Sequence, residues 1–169
     1  MCIAVAGFLG LFLFSCGQRE SKNTEVLPSD SLKSAVAQSL DQFAADLIQN
    51  GIDTAQAFGM LQAFLDRNPA IYASALAIAP IISDKDTIRY SPYVYRSAQG
   101  YTSIYLEKSY DYTKDDWYTA PISQKKGCWT EPYFDQGGGN IWMVTYSVPL
   151  YTPDGALLGV ITSDLEVKK

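Results

Sequence analysis

The sequence predicts an α+β domain in which two helices are followed by a central antiparallel sheet of five or six strands. Three observations support this prediction. Apolar residues recur at helical spacing from about residue 29 to residue 67, the pattern then changes to strand-like alternation, and no later helix separates the strands into parallel crossovers. With 169 residues, 47% of them hydrophobic, the chain has the size of one folded domain.

The first predicted element is a long helix, and a shorter one follows it. The long helix has one apolar face, whose members are spaced by four, four, three and four positions: Leu32, Val36, Leu40, Phe43 and Leu47. Ser29 or Asp30 is expected to cap its start, and Gly51 to end it, because glycine readily adopts left-handed backbone geometry. The second helix is expected over residues 54–67, before Pro69.

Strand patterns follow Pro69. "IYASALAIAP" can be buried on both faces and predicts a central strand, and "TIRYSPYVYRS" predicts a second strand region, with Pro92 at an edge or bulge. "GYTSIYLEKSYDY" predicts a third, whereas "KDDWYTAPI" is typical of a short helical turn or loop. The turn at Pro153–Gly155 joins "NIWMVTYSVPLYT" and "ALLGVITSDLEV" into an antiparallel hairpin.

Composition and charge exclude several classes of function. A net charge of -5 and the lack of a Lys/Arg-rich run argue against nucleic acid as a partner. The chain has no His, which excludes Ser-His-Asp and Cys-His catalytic sites. An enzyme would depend on carboxylates such as Glu131 and Asp135, and nothing else in the chain supports a reaction. We therefore expect a protein that is not an enzyme and holds no metal or cofactor.

The amino terminus predicts export. An uncharged apolar run, Ile3–Phe14, has the length of a signal-peptide core and is too short to span a bilayer as a helix. The sequence "LFSC" resembles the lipobox of bacterial lipoproteins, which implies a signal peptide over residues 1–15 and a lipid on Cys16. A polar tether is expected over residues 16–30 and a folded domain over 31–169. The alternatives are an ordinary cleaved signal peptide or a buried apolar segment.

The second half of the chain carries a family resemblance. In order, "DWYTAP", "CWTEPYFD" and "TYSVPLYTPDGALLGVITSDL" resemble the extracytoplasmic Cache (PAS-like, PDC) sensor domains of bacterial chemoreceptors and sensor kinases, over roughly Tyr90–Val167. The resemblance implies a PAS-like sheet that binds a small molecule between the sheet and its covering loops. The ligand contacts that it implies are Tyr110, Trp117, Tyr118, Tyr133, Asp135 and Asp164.

Two positions differ from the family members that bind amino acids. Those members carry an Arg, which grips the ligand carboxylate, at the position of Asp115, and an Asp at the position of Ala120. The remaining acidic and aromatic residues are better suited to a cationic amine. Arg89 or Arg96 could still serve an organic acid if its side chain turned inward.

We therefore predict an extracytoplasmic, membrane-anchored module that binds a small polar metabolite, an amine, amino acid or organic acid. It would act through an envelope signalling partner, or as a portion of a longer receptor. The alternative, from a different class, is a structural or interaction lipoprotein that has lost its ligand. That alternative predicts that Trp117, Tyr133 and Asp135 are packed shut, with an exposed apolar patch elsewhere.

Overall fold

The structure is a computed structural model that describes residues 26–83 and 86–169. Its helices are α1 (Asp30–Asn50), α2 (Ala57–Arg67), which a 3-10 turn precedes, and α3 (Asp116–Gln124). The strand segments within the described ranges are β1 (Ala73–Ile82), β2 (Thr87–Tyr90), β3 (Pro92–Ser97), β4 (Gly100–Tyr105), β5 (Cys128–Trp129), β6 (Tyr133–Phe134), β7 (Trp142–Tyr151) and β8 (Leu157–Glu166). The predicted signal peptide and Cys16 lie outside the described residues.

The strands form one antiparallel sheet in the order β4-β3-β1-β8-β7-β5. β2 pairs with β1 on the same side as β3, and β6 pairs with β7 on the same side as β5. The eight segments therefore occupy six positions across the sheet, which confirms the predicted α+β fold with five or six strands. Pro92 is the first residue of β3, which lies between β1 and β4 rather than at an edge.

The helices α1 and α2 cover one face of the sheet, as their apolar patterns predict. Ser29 caps α1 by accepting a hydrogen bond from the Leu32 backbone at 3.2 Å, and Gly51 follows the helix with a φ of 83°. The two helices bury aliphatic side chains against the sheet, among them Val36, Leu40, Leu47, Leu61, Leu65, Leu76, Val144 and Ile161. Burying each such side chain fully contributes about 1.5–3 kcal/mol, which makes this the main apolar core.

The first described residue is hydrogen-bonded to the segment at the carboxyl terminus. Val26 pairs with Lys168 in an isolated bridge, in which the Val26 amide donates to the Lys168 carbonyl at 2.8 Å. This pairing lies within the predicted tether of residues 16–30.

The opposite face of the sheet is covered by α3 and by the loops around it. β1 presents only small side chains there, Ala73, Ala75 and Ala77. Because these residues occupy little volume, aromatic side chains from neighbouring segments can pack over the centre of the sheet. α3 is a nine-residue helix where the sequence predicts a short helical turn or loop, and it ends at Lys125 in left-handed geometry.

None of the helices in the described part of the chain is long and apolar enough to cross a membrane.

Candidate functional site

The face that α1 and α2 leave uncovered carries a cleft of about 850 Å³. One wall is the start of α3, with Asp115, Asp116, Trp117 and Ala120. The other wall is the segment 129–136, which contributes to the outermost strand position of the sheet. Tyr110 completes the lining. A volume of this size is typical of small-molecule sites.

Beneath the cleft is a smaller cavity of about 10 Å³, which we call the inner cavity. It reaches the sheet itself, where Ala75, Thr145, Thr162 and Asp164 line it. The cleft and the inner cavity share four lining residues, Tyr110, Trp117, Tyr133 and Asp135. They are therefore two levels of one site.

Asp164 reaches the inner cavity because of its place on β8. Its neighbour Leu165 faces the helix-side core, and alternation along the strand turns Asp164 to the other face. Asp164 stands opposite Thr145 on β7 and opposite Ala73 on β1. The Thr145 hydroxyl donates to Asp164 Oδ1 at 2.8 Å, and Tyr133 Oη lies 2.8 Å from the Thr145 hydroxyl oxygen. Tyr133, Thr145 and Asp164 thus form one chain of hydrogen bonds.

Asp135 is held by the glycine-rich loop between β6 and β7. Its Oδ2 accepts a hydrogen bond from the Gly139 amide at 2.6 Å and another from the Tyr93 hydroxyl at 3.3 Å. A Cβ atom on Gly138 would collide with the Asp135 carboxylate, so the loop can wrap this side chain only with glycine there. The triple glycine "GGG" therefore lies in the hairpin loop between β6 and β7 and also positions a carboxylate.

Aromatic rings form the boundary between the two levels of the site. The Trp117 side chain is buried, and its ring lies 6.0 Å from that of Tyr112, centroid to centroid. Burial raises the pKa of Tyr110 well above its usual range. Tyr133 is half-buried, and burial raises its pKa as well.

One of the six predicted contact residues lies elsewhere. Tyr118 is on α3 next to Trp117, yet it lines neither the cleft nor the inner cavity. Its ring packs edge-on against Tyr112 at 5.2 Å and against Trp117 at 5.9 Å. Successive residues of a helix point in directions about 100° apart, so Trp117 and Tyr118 cannot both face the cleft. Tyr118 therefore packs against Trp117 without lining the cleft and helps to hold the tryptophan ring in place.

The pKa values of three carboxylates in the site are raised above the usual range for aspartate. Burial, followed by repulsion from Asp135, raises the pKa of Asp164 to about 8. The pKa of Asp135 is also raised by burial, although its hydrogen bonds from Gly139 and Tyr93 oppose the shift. Burial raises the pKa of the half-buried Asp115, and repulsion from Asp135 adds to this effect. In all three cases burial disfavours the charged form of the carboxylate, and no cation in the lining of the site offsets this effect.

Both candidate arginines are held outside the site. Arg89 is paired with Asp111, and its Nη2 donates to Asp111 Oδ2 at 3.2 Å. Arg96 donates to the carbonyl of Ile71 at 2.9 Å and to that of Leu65 at 2.6 Å, beside α2. Neither arginine lines the cleft or the inner cavity.

Three further residues in or near the cleft have varied positions. The ring of Trp129 packs 5.2 Å from that of Tyr146 and joins the helix-side core, although Trp129 also reaches the rim of the cleft. Glu131 is exposed at the cleft, and Cys128 is half-buried on β5. Among the described residues, no three acidic or Cys side chains are arranged to hold a metal ion.

The family comparison fits this architecture. Residues 58–169 match the model of the first PDC sensor domain of methyl-accepting chemotaxis protein-like receptors. The chain belongs to this family of sensor domains. No curated protein sequence gives a significant match.

Solved structures of extracellular and ligand-binding domains of receptors share the fold. The extracellular domain of soHK1S-Z6, named as a histidine kinase, is 30% identical with a TM-score of 0.72, over 80% of this chain and 54% of that one. The ligand-binding domain of the Pseudomonas aeruginosa amino acid chemoreceptor PctC, solved with GABA, is 20% identical with a TM-score of 0.57, over 80% and 56%. The corresponding domain of the Campylobacter jejuni chemoreceptor Tlp3, solved with L-norvaline, is 16% identical with a TM-score of 0.52, over 80% and 49%. This chain therefore spans about half the length of these structures.

Sequence reasoning missed several residues of the site in this PDC sensor domain. Tyr93 from β3, and Thr145 and Thr162 from the hairpin strands, contact or border the two buried aspartates. Alternation along β8 places Thr162 on the same face as Asp164, and this signal could have identified it. The position of Tyr93 depends on the pairing of β3 with β1, which the sequence pattern does not specify.

Proposed function

We propose that this chain is an extracytoplasmic sensor module that binds a small organic amine and performs no reaction on it. The observation that supports an amine is the charge of the lining. The charged residues that line the cleft and the inner cavity are all acidic: Asp115, Asp116, Glu131, Asp135 and Asp164. An ammonium group would pair with these carboxylates and stabilise their charged form, whereas a neutral ligand or an anion offers them no such partner.

The aromatic lining supports the same class of ligand. Tyr110, Trp117 and Tyr133 offer ring faces and edges at the boundary between the cleft and the inner cavity. A cation over such a ring gains about 0.5–2 kcal/mol per contact, with the larger values where water is excluded. An alkyl ammonium thus satisfies both the carboxylates and the rings.

An α-amino acid or organic acid fits the site less well. Such ligands bring a carboxylate, which needs a cation or several hydrogen-bond donors when it is removed from water. The position that holds Arg in amino acid-binding members of the family is Asp115 here, and Arg89 and Arg96 are engaged with other groups. PctC and Tlp3 are solved with amino acids, but this chain carries Asp115 where the amino acid-binding pattern of the family has Arg.

The lipid anchor and the signalling partner complete the proposal. We infer from the lipobox-like "LFSC" that Cys16 carries a lipid, which would hold the sensor domain at a membrane surface. A partner in the envelope would read the bound state. Mass spectrometry of the protein from membranes of a bacterial host checks the anchor: we expect a lipidated Cys16 peptide that is lost in Cys16→Ser.

A thermal-shift screen of the purified protein against amines, amino acids and organic acids tests the ligand class. Ligand at about 100 times its Kd adds about 2.7 kcal/mol of stability, which is a shift of several degrees. We expect a shift with amines that is absent in Asp135→Ala. A shift with organic acids alone would contradict the proposal.

One observation favours a second function. The inner cavity is nearly closed, and three isoleucines on the β1–β2 hairpin, Ile81, Ile82 and Ile88, are 62%, 80% and 58% exposed. A structural or interaction module would present such an apolar patch to another protein. If no compound in the thermal-shift screen raises the unfolding temperature, the interaction module is better supported than the amine sensor.

A further inference from the structure

The two levels of the site differ greatly in size. The inner cavity has about 10 Å³, roughly the room that one water-sized group requires, whereas the cleft has about 850 Å³. An ammonium group is comparable to a water molecule in size. The inner cavity can therefore receive the end of a ligand, and the cleft must hold the remainder.

Carboxylates occur at both levels. Asp164 lies at the inner level, and Asp135 borders both levels. Asp115 and Glu131 line only the cleft and belong to its opposite walls. A ligand with a single positive charge at Asp135 and Asp164 would leave the carboxylates of the cleft without a counter-charge.

Tyr110 shows that the two levels are electrostatically connected. Its pKa is raised mainly by burial, and then by Asp135, Asp115 and Asp164 together. Repulsion from Asp135 also raises the pKa of Asp115. Because Tyr110, Trp117, Tyr133 and Asp135 line both levels, the groups at the two levels lie close enough for one small molecule to meet both.

On the basis of the proposed function, we propose that the ligand is an elongated dication of the linear alkyl diamine class. One ammonium enters the inner cavity between Asp135 and Asp164, and the other lies in the cleft near Asp115 and Glu131. The methylene chain between them passes the rings of Tyr110, Trp117 and Tyr133, which form the boundary of the two levels. A monoamine leaves the outer carboxylates unpaired, and an amino acid places its own carboxylate among them.

Isothermal titration calorimetry with matched ligands tests this proposal on the purified protein. The probes are the diamines from propane-1,3-diamine to hexane-1,6-diamine and the monoamines of equal chain length. We expect the best diamine to bind at least tenfold more tightly than its matched monoamine. We also expect this advantage to shrink at high salt, because part of the site is exposed to solvent.

Variants separate the two levels of the site. The double variant Asp115→Asn/Glu131→Gln should weaken the best diamine about tenfold and leave the matched monoamine within twofold. Asp164→Asn should weaken both ligands. Asp46→Asn is the control: it removes one charge from an exposed position of α1, on the other face of the sheet. It should change the affinity for neither ligand.

The outcomes distinguish this proposal from the one on which it rests. If diamines and monoamines bind equally well, the elongated dication is wrong, but an amine sensor still stands. If the double variant weakens both ligands equally, the second ammonium does not lie at Asp115 and Glu131, and the proposal is likewise overturned. If neither ligand class binds, the proposed function fails as well.

Discussion

The two faces of the sheet are built from different chemistry. The face under α1 and α2 is an apolar core in which Leu40, Leu65 and Leu150 are completely buried. The opposite face buries two carboxylates, Asp135 and Asp164, which are only 6% and 3% exposed. No Lys or Arg lines the cavities that contain these carboxylates within the part of the chain that the structure describes.

Because of this difference, we expect the helix-side face to stabilise the fold and the pocket face to bind the ligand. Apolar burial on the helix side stabilises the fold without any ligand, since each buried methylene contributes about 0.8 kcal/mol. Carboxylates buried without a cation destabilise the other face, and the raised pKa values of Asp135 and Asp164 report this effect. A cationic ligand would remove the destabilisation, so stability and ligand binding should be coupled on the pocket face alone.

The largest expected effect is the loss of an aliphatic side chain from the helix-side core. Leu65→Ala should reduce the free energy of unfolding by about 2–5 kcal/mol, because it leaves a cavity in a fully buried position. Urea denaturation measures this loss. Ligand affinity should stay within twofold under native conditions, and a large loss of affinity in the folded variant would show that the two faces are not independent.

The second largest expected effect is a gain in stability when a buried carboxylate of the pocket face is replaced by an amide. Asp164 has a pKa of about 8 in the folded protein and about 3.9 when unfolded, so the folded state retains a proton that the unfolded state releases between these values. Stability should therefore fall as the pH rises from about 4 to about 8. Asp164→Asn removes this contribution and should raise the free energy of unfolding at pH 8 by roughly 1–4 kcal/mol.

Denaturation of both proteins at several pH values checks this prediction. The advantage of Asp164→Asn should shrink toward pH 4 and disappear below about pH 3, where Asp164 is protonated in both states. Part of the pH dependence should remain in the variant, since the pKa of Asp135 is raised too. Equal pH profiles for the two proteins would contradict the shifted protonation of Asp164.

A smaller effect is expected at the loop that holds Asp135. Gly138→Ala places a methyl group against the Asp135 carboxylate and should cost about 1–3 kcal/mol, as overpacked substitutions usually do. It should also weaken any cationic ligand, because Asp135 is displaced. Gly155→Ala is a control in a turn with open space and a φ of 90°, where only backbone strain is expected. Calorimetry on folded protein separates loss of binding from loss of stability.

The smallest effect is expected at the start of α1. Ser29→Ala removes the cap on the Leu32 amide and should reduce stability by about 1 kcal/mol. Ser29→Asp keeps an acceptor at the cap and should retain most of the stability. Neither change should alter ligand binding, because α1 packs on the other face of the sheet. Thermal unfolding with and without ligand measures both effects.

The helix-side face could be predicted almost completely from the sequence. Its helices have regular apolar spacing, and local signals such as Ser29 and Gly51 mark the ends of α1. The α+β order and the final hairpin follow from equally local patterns. The extent of α3 could not be predicted as well, because Pro121 and the mixed polarity of "DWYTAPISQ" weaken its helical pattern.

The site could be predicted only in part, since it depends on which strands are neighbours. The family resemblance identified Tyr110, Trp117, Tyr133, Asp135 and Asp164, all of which line the cleft or the inner cavity. It also included Tyr118, whose direction on α3 differs from that of Trp117. Tyr93 and Thr145 required the register of the sheet, which brings them to the aspartates from distant parts of the chain.

The central claim is that the pocket face selects positive charge. Calorimetric titration of butylamine and of butyrate into the wild-type protein and Asp164→Asn tests it most directly, because the two probes have similar size and opposite charge. We predict that the wild type binds butylamine, that Asp164→Asn binds it at least tenfold more weakly, and that neither protein binds butyrate. Binding of butyrate, or binding of butylamine with equal affinity by both proteins, would contradict this account.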